Sequence, residues 1–202
     1  MVTTFRSAAQ YQDVSAALEQ GRERLEGEQL DVTDELAVRA LVHGVMERRH
    51  RIDALVNAVG GYAGGAKLWE LEAPDLERML TLNLRSFHSL ARAVVPVFLN
   101  QGRGAIVNVV AQAALDHPAG ASAYAASKAG ALAMTHSLAA ELAGTGIRVN
   151  AVLPRIIDTP ANRQAMPKAS FANWTQPEAI ADLILFLCSD AAAAVHGAAI
   201  SV

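Results

Sequence analysis

The chain has 202 residues, of which 52% are hydrophobic and 18% charged, with a net charge of −3 and a single cysteine. That length fits one domain over residues 1–202 with a substantial core, and the composition is too apolar for disorder. The mild acidity and the lack of a basic run argue against nucleic acid as the main partner, while lone Cys188 excludes an internal disulfide.

In chain order, short runs rich in Val, Ile and Leu alternate with longer amphipathic segments, which is the pattern of βαβ units and a parallel sheet. Strands are predicted near Val2–Phe5, Leu25–Gln29, Ala54–Val59, Ala105–Val110, Arg148–Leu153 and Ala199–Val202, with helices between them. Before the helix that follows the second strand, Thr33 or Asp34 is better placed than Asp31 to act as N-cap. From Pro74 to Asn100, Leu76, Met79, Leu80, Asn83, Phe87, Leu90 and Val94 recur at helical spacing, with Pro74 suited to the first turn and Gly102 past the end. A second long helix is predicted from Ser122 to Ala143, closing at Gly144. Pro154, Pro160 and Pro167 punctuate the stretch from Pro154 to Trp174, whose length suggests a lid or substrate loop. Pro177 and Glu178 open the last helix; Asp182 and Asp190 interrupt its apolar stretch, so it reads as core and not as a membrane span. No signal-peptide pattern opens the chain, and a cytoplasmic location is expected.

The most informative pair is Tyr124 and Lys128 in Ser122-Ala123-Tyr124-Ala125-Ala126-Ser127-Lys128. Four-residue spacing stacks a phenol and an ammonium on one helix face. A free tyrosine has a pKa near 10, and a cation within a few ångströms favours the phenolate, so this pair reads as a proton-donating device. The plainer reading is a half-buried Tyr beside a Lys that reaches for water.

Other segments join it: Asp31-Val32-Thr33-Asp34, Leu55-Val56-Asn57-Ala58-Val59-Gly60, Asn83 within the long helix, and Arg148-Val149-Asn150-Ala151-Val152-Leu153-Pro154. Together they resemble the short-chain dehydrogenase/reductase superfamily over essentially the whole chain. The resemblance implies a Rossmann-type doubly wound parallel sheet with NAD or NADP across the carboxyl ends of its strands. It implies Tyr124 as acid-base residue, Lys128 as binder of the nicotinamide ribose and depressor of the Tyr124 pKa, and Asn83 as holder of a water that relays protons to Lys128. Asp31 and Val32 would meet the adenine, Asn57, Ala58, Val59 and Gly60 would line the cofactor, and Pro154, Ile157 and Thr159 would meet the nicotinamide amide. Asn83 has a plainer alternative, a bond to a backbone carbonyl at a helix kink. Asn57 ends an apolar strand, where an unpaired amide is costly, so it carries a hydrogen-bonding duty on either reading. No metal site is implied.

Two departures stand out. The family places a substrate-polarising Ser about thirteen positions before the Tyr, and here that position is Ala111. Losing such a donor typically costs on the order of 2.7–4 kcal/mol in the barrier for an ordinary ketone. The branch that resembles this chain in lacking the Ser is the dihydropteridine reductases, which act on a conjugated ring imine. Gly60-Gly61-Tyr62-Ala63-Gly64-Gly65, Ala111-Gln112-Ala113-Ala114-Leu115-Asp116 and the run from Asp158 to Arg163 are similar to that branch, whereas Asn83 and Arg148-Val149-Asn150 are more similar to bacterial oxoacyl-carrier reductases.

The second departure lies at the start. The family opens with a strand and a Gly-rich turn at a helix N-terminus that holds the pyrophosphate, and Met1–Arg6 looks like the end of its second strand. The expected fold is therefore an α/β doubly wound sheet lacking the first strand and the phosphate-binding turn. Two strands would face each other unpaired, each buried orphan group costing about 1–3 kcal/mol. Gly60–Gly65 lacks the dinucleotide spacing and is a poor substitute. No acid follows Val2–Phe5 to bind a ribose 2′-hydroxyl, while Arg6 suits a 2′-phosphate, which leans towards NADP. The expected partner is a small conjugated imine or carbonyl, with homo-oligomers formed through helices 74–100 and 122–143. The competing reading is a non-catalytic paralogue or gene fragment that acts through dimerisation without cofactor.

Overall fold

The computed structural model describes residues 1–18 and 20–202. β1 (Val2–Phe5) and β2 (Glu26–Gln29) pair in parallel, with Val2 opposite Glu26 and Phe5 opposite Gln29. A second sheet holds β3 (Ala54–Asn57), β4 (Gly104–Val109), β5 (Ile147–Leu153) and β6 (Ala199–Ser201) in that spatial order, again all parallel. Parallel neighbours require crossovers, and helices supply them. The α/β parallel architecture is as predicted, but in two sheets: among the described residues β1 pairs only with β2, and β3 only with β4.

Local chemistry sets the helix ends. α1 (Ala8–Ala17) starts with a capping box in which Ser7 accepts from Gln10 N and the Gln10 side chain accepts from Ser7 N. α2 (Glu35–Arg49) is capped by Asp34, whose carboxylate accepts from Leu36 N and Ala37 N at 2.9 and 3.1 Å. Arg48 and Arg49 in its last turn suit the negative end of the helix dipole. β3 stops at Asn57, short of the predicted Val59, because the Asn57 side chain accepts from Val59 N and turns the chain out of the ladder.

The predicted helix from Pro74 to Asn100 is continuous but not uniform. α3 (Ala73–Leu80) passes through a π-helical turn, Thr81–Arg85, into α4 (Ser86–Gln101), which closes on Gly102 at φ 69°. Such a widened turn changes which residues face inward, and here it carries Asn83. α5 (Ala113–Asp116) follows β4, α6 (Ser122–Glu141) precedes β5, and α7 (Pro160–Ala165) and α8 (Pro177–Cys188) separate β5 from β6. None of the described helices is long and apolar enough to cross a membrane.

Alternation along the central strands divides the core between the two faces of the sheet. Ile106 and Val149 pack with Phe87, Val94 and Phe98 of α4 and Ala139 of α6, while Val107 and Val152 pack with Ile180 and Leu187 of α8. Both faces are covered, so all of β5 except Arg148 is buried. Burying a side chain such as Phe98 contributes roughly 1.5–3 kcal/mol. The core therefore sits around β4 and β5, and their carboxyl ends are the rigid frame on which a site can be mounted.

Candidate active site

Two buried asparagines and a threonine begin the frame. Asn57, Asn108 and Thr135 are each 1% exposed. Asn57 donates to Asn108 Oδ1 at 2.9 Å, Asn108 donates to Thr135 Oγ1 at 2.9 Å, and Thr135 donates to the Ala131 carbonyl at 2.7 Å. This chain of bonds ties β3 and β4 to α6. Its far end holds Val59 N at 3.3 Å, fixing the start of the glycine-rich loop.

Asn83 fixes the loop from the opposite side. Its Oδ1 accepts from Gly61 N at 2.9 Å, and its Nδ2 donates to the Gly61 carbonyl and to Ser127 Oγ, both at 3.0 Å. Ser127 in turn donates to the Tyr124 carbonyl at 2.7 Å. Asn83 thus binds backbone, as the plainer alternative held, but in a different segment and at a π turn. A β-carbon on Gly60 would lie 2.9 Å from Asn83 Oδ1 and 3.0 Å from Lys128 Nζ, so both polar groups converge on one point above that glycine. No larger residue fits there without displacing one of them.

Lys128 is 5% exposed, and its Nζ donates to the Val109 carbonyl at 3.2 Å. Burial lowers its pKa from 10.5 to about 8. An ammonium has three donors, and this one has a single acceptor among the described residues, so the buried cation is suited to further acceptors such as sugar hydroxyls. That donor set fits the nicotinamide ribose of a dinucleotide.

The expected lowering of the Tyr124 pKa by Lys128 is corrected here. Burial and then the neighbouring Tyr62 phenol push Tyr124 up, and the Lys128 ammonium is engaged with Val109 instead. The Tyr62 and Tyr124 rings meet edge to face, with centroids 5.0 Å apart. Tyr62 remains 67% exposed and presents its ring to solvent beside the catalytic candidate. A cavity of about 160 Å³ is lined by Ala63, Gly64, Gly120, Ala121, Ser122 and Ala123.

Ala111 is buried at 6% exposure and offers no side-chain donor. Its neighbour Gln112 does not replace one: its amide donates to Asp116 Oδ1 at 3.0 Å and accepts from Ser201 Oγ at 2.8 Å. Pro154 is buried and its carbonyl accepts from Gln112 N at 2.9 Å, joining the segment after β5 to the turn after β4. Ile157 forms a parallel bridge with Thr175, and Thr159 is the N-cap of α7.

Arg6 and Asp31 meet each other, 3.5 Å apart and both well exposed. The Asp31 carboxyl is held low mainly by the Thr33 backbone N–H, then by the Thr33 hydroxyl, with Arg6 the smallest contributor. Asp31 does not cap α2; Asp34 does. Val32 is a core residue packed with Val38 and Leu90. Ala58 and Val59 lie between Asn57 and Gly60, and the Val59 side chain packs against the Val32 cluster. Among the described residues no group of three His, Cys, Asp or Glu side chains is arranged to hold a metal ion.

A Tyr and a buried Lys on one helix, set at the carboxyl edge of a parallel α/β sheet, define a class of dinucleotide-dependent oxidoreductases. The chain belongs to the short-chain dehydrogenase/reductase superfamily of NAD(P)-dependent oxidoreductases. Residues 1–202 match the profile described as Enoyl-(Acyl carrier protein) reductase. The chain is 36% identical to the 3-oxoacyl-[acyl-carrier-protein] reductase of Thermotoga maritima over 181 residues, covering 86% of this chain and 73% of that protein. It is 32% identical to the 7alpha-hydroxysteroid dehydrogenase of Escherichia coli over 181 residues, covering 85% and 70%. A short chain dehydrogenase from Bacillus anthracis superposes with a TM-score of 0.88 at 29% identity, covering 100% and 83%. ElxO with NADP bound shares the fold at a TM-score of 0.92 and 24% identity, covering 99% and 85%.

Sequence reasoning named Tyr124, Lys128, Asn83, Asn57 and Gly60, and the structure gathers them at one end of the four-stranded sheet. Arg6 and Asp31 pair with each other beside the two-stranded sheet, while Val32 packs in one cluster with Leu55, Val59 and Leu90. Ser127 and the Asn108–Thr135 pair were not foreseen. A hydroxyl three residues after Tyr124 and a buried-strand Asn were the available signals, since an unpaired polar group in such a core is costly.

Proposed function

We propose that the chain is an NAD(P)-dependent reductase of the group that resembles dihydropteridine reductase, acting on a small planar conjugated imine or carbonyl with Tyr124 as proton donor. The observation that carries this reading is the Tyr62–Tyr124 contact, taken together with a buried Ala111 that offers no hydroxyl. An exposed aromatic ring offers a stacking surface, while the missing hydroxyl withdraws the hydrogen bond an isolated ketone needs. A conjugated acceptor spreads the developing charge and depends less on that donor.

When bound, NAD(P)H supplies the hydride. Lys128 would hold the nicotinamide ribose with its unused donors, and Gly60 leaves the backbone bare beside it. Asn83 keeps the Gly60–Gly61 backbone in place, and its Oδ1 stands where a water could pass a proton towards Lys128. Pro154, Ile157 and Thr159 would approach the nicotinamide amide, and Arg6 a 2′-phosphate, favouring NADP. A raised Tyr124 pKa keeps the phenol protonated at neutral pH, as a donor to the reduced substrate must be.

The test follows NADPH absorbance with planar quinones and cyclic imines against simple ketones. Turnover should favour the conjugated set. Tyr124→Phe should abolish turnover with little change in thermal stability, and Ala111→Ser should raise ketone turnover relative to the imines. Full activity in Tyr124→Phe would falsify the proton-donor role. A folded dimer that binds neither NADPH nor NADH supports the non-catalytic alternative.

A further inference from the structure

The segment after β5 is held together by its own side chains. Its two stems join through the Ile157–Thr175 bridge, with Asp158 N donating to the Thr175 carbonyl at 2.8 Å and Thr175 N donating to the Ile156 carbonyl at 2.9 Å. Just inside the stems sits Asp158, with a side chain only 8% exposed. Its two carboxylate oxygens accept from Arg163 Nε and Nη2 at 2.6 and 2.8 Å, and Oδ2 also accepts from Gln176 Nε2 at 3.0 Å. Those bonds hold the Asp158 carboxyl at a pKa of about 2, with Arg163 the main cause.

The same Arg163 lies 4.7 Å over the Phe171 ring, and Phe171 packs on Trp174 at 4.7 Å. Trp174 is 8% exposed. The guanidinium face therefore ties α7 to Phe171 of the returning half, while its edge holds Asp158, whose Oδ2 reaches Gln176 of the returning stem. A bidentate fork with a stacked face is a geometry that Lys cannot reproduce. Thr159 stands directly between Asp158 and α7, and the Arg163 backbone N donates to its carbonyl at 2.9 Å. Between Met166 and Ser170 the backbone is held by the bond from Ala169 N to the Met166 carbonyl.

We propose that Asp158, Arg163 and Phe171 form a brace that makes residues 158–175 a single rigid lid pivoting on its paired stems. Asp158 and Arg163 are then positioning residues that hold Thr159 and Trp174 in place. The consequence for catalysis rests on the reductase reading of the Tyr124 site; the brace itself does not. Without it the two halves of the lid move separately, and substrate is captured less well while the chemical step keeps its groups.

The chain has two tryptophans, Trp69, which is 79% exposed, and Trp174. Trp69→Phe therefore leaves Trp174 as a reporter within the lid. In that background Arg163→Ala should increase acrylamide quenching of Trp174 severalfold, and Arg163→Lys should behave like Ala. Phe171→Leu keeps an apolar contact and should give a smaller increase. Quenching unchanged in both Arg163→Ala and Asp158→Asn overturns the brace, whatever the activity. Should Arg163→Ala not fold, Asp158→Asn and Phe171→Leu carry the same measurement. With turnover in hand, the Arg163 variants should raise KM about tenfold while kcat stays within about twofold, and the pH profile should be unmoved; equal losses in both constants would contradict the lid role. Wild-type kinetics that show no reductase activity would remove the reductase reading and leave the quenching result standing.

Discussion

The four-stranded and two-stranded sheets are made of the same kind of parallel strand, yet they hold their polar groups in opposite ways. Around β3, β4 and β5, Asn57, Asn83, Asn108, Ser127 and Lys128 lie at 5% exposure or less and bond to one another or to backbone. In β1 and β2 no residue is buried, and polarity is handled by exposed pairs such as Arg48–Glu28, Arg49–Glu26 and Arg6–Asp31. A buried network fixes geometry because leaving any member unpaired is expensive, whereas an exposed pair contributes little and yields easily. Chemistry that depends on placement belongs to the first sheet; recognition that tolerates adjustment belongs to the second.

The sharpest way to break this contrast is Lys128→Met. Turnover should fall by at least about 100-fold if the ammonium serves the proton-transfer site. Stability at pH 7 should rise instead, because a cation buried at 5% exposure is exchanged for an isosteric apolar chain. The sign of the pH dependence follows from the folded value of about 8 against the ordinary 10.5. Between those values the unfolded chain binds more protons, so Lys128 penalises folding fully below about pH 8, and stability recovers as pH rises towards 10.5. Urea-unfolding free energies of wild type and variant should converge by about 3 kcal/mol across that window. Parallel curves would mean that Lys128 is hydrated in the folded protein.

Asn108→Leu is a smaller perturbation of the same region. It leaves the Asn57 amide without its acceptor and Thr135 Oγ1 without its donor, in a core where neither meets water. Roughly 2–5 kcal/mol of stability should be lost, read from chemical denaturation. A loss below about 1 kcal/mol would show that the ladder is dispensable and that the loop after β3 is held by Asn83 alone.

The contrast also explains what the sequence could disclose. Strand positions to within about two residues, a cap at Asp34 as one of the two candidates, the stop at Gly102 and the helical placement of Tyr124 and Lys128 follow from local periodicity and turn chemistry. The site's residue types were legible for the same reason. Its bonding was not. The π turn at Thr81–Arg85, the convergence of Asn83 and Lys128 on Gly60, and the edge contact of Tyr62 with Tyr124 are tertiary events between segments far apart in sequence. The i,i+4 argument put Tyr124 and Lys128 on one helix but could not foresee that the Val109 carbonyl would claim the ammonium, and so the direction of the Tyr124 shift was missed. The division of the sheet was anticipated from strand order, since a doubly wound arrangement leaves β1 and β3 as non-neighbours.

The smallest effect is expected at the exposed pair. Arg6 and Asp31 have side-chain exposures of 61% and 47%, so Arg6→Ala should change stability by no more than about 0.5 kcal/mol. Its effect on cofactor choice should be larger than its effect on the fold. Asp31 is kept ionised chiefly by the two bonds from Thr33, so removing Arg6 does not neutralise it. The variant therefore presents an unopposed carboxylate where wild type presents a compensated pair. A 2′-phosphate brought to that edge meets repulsion in place of a cation, while a 2′-hydroxyl is a ready donor to the freed carboxylate. The ratio of NADPH to NADH dissociation constants should accordingly rise about tenfold, with NADPH weakened and NADH unchanged or improved. Repeating the titration at high salt should shrink the change, since both side chains face solvent. An unaltered ratio would remove Arg6 from cofactor selection and leave the pair as an ordinary surface contact between β1 and the turn after β2.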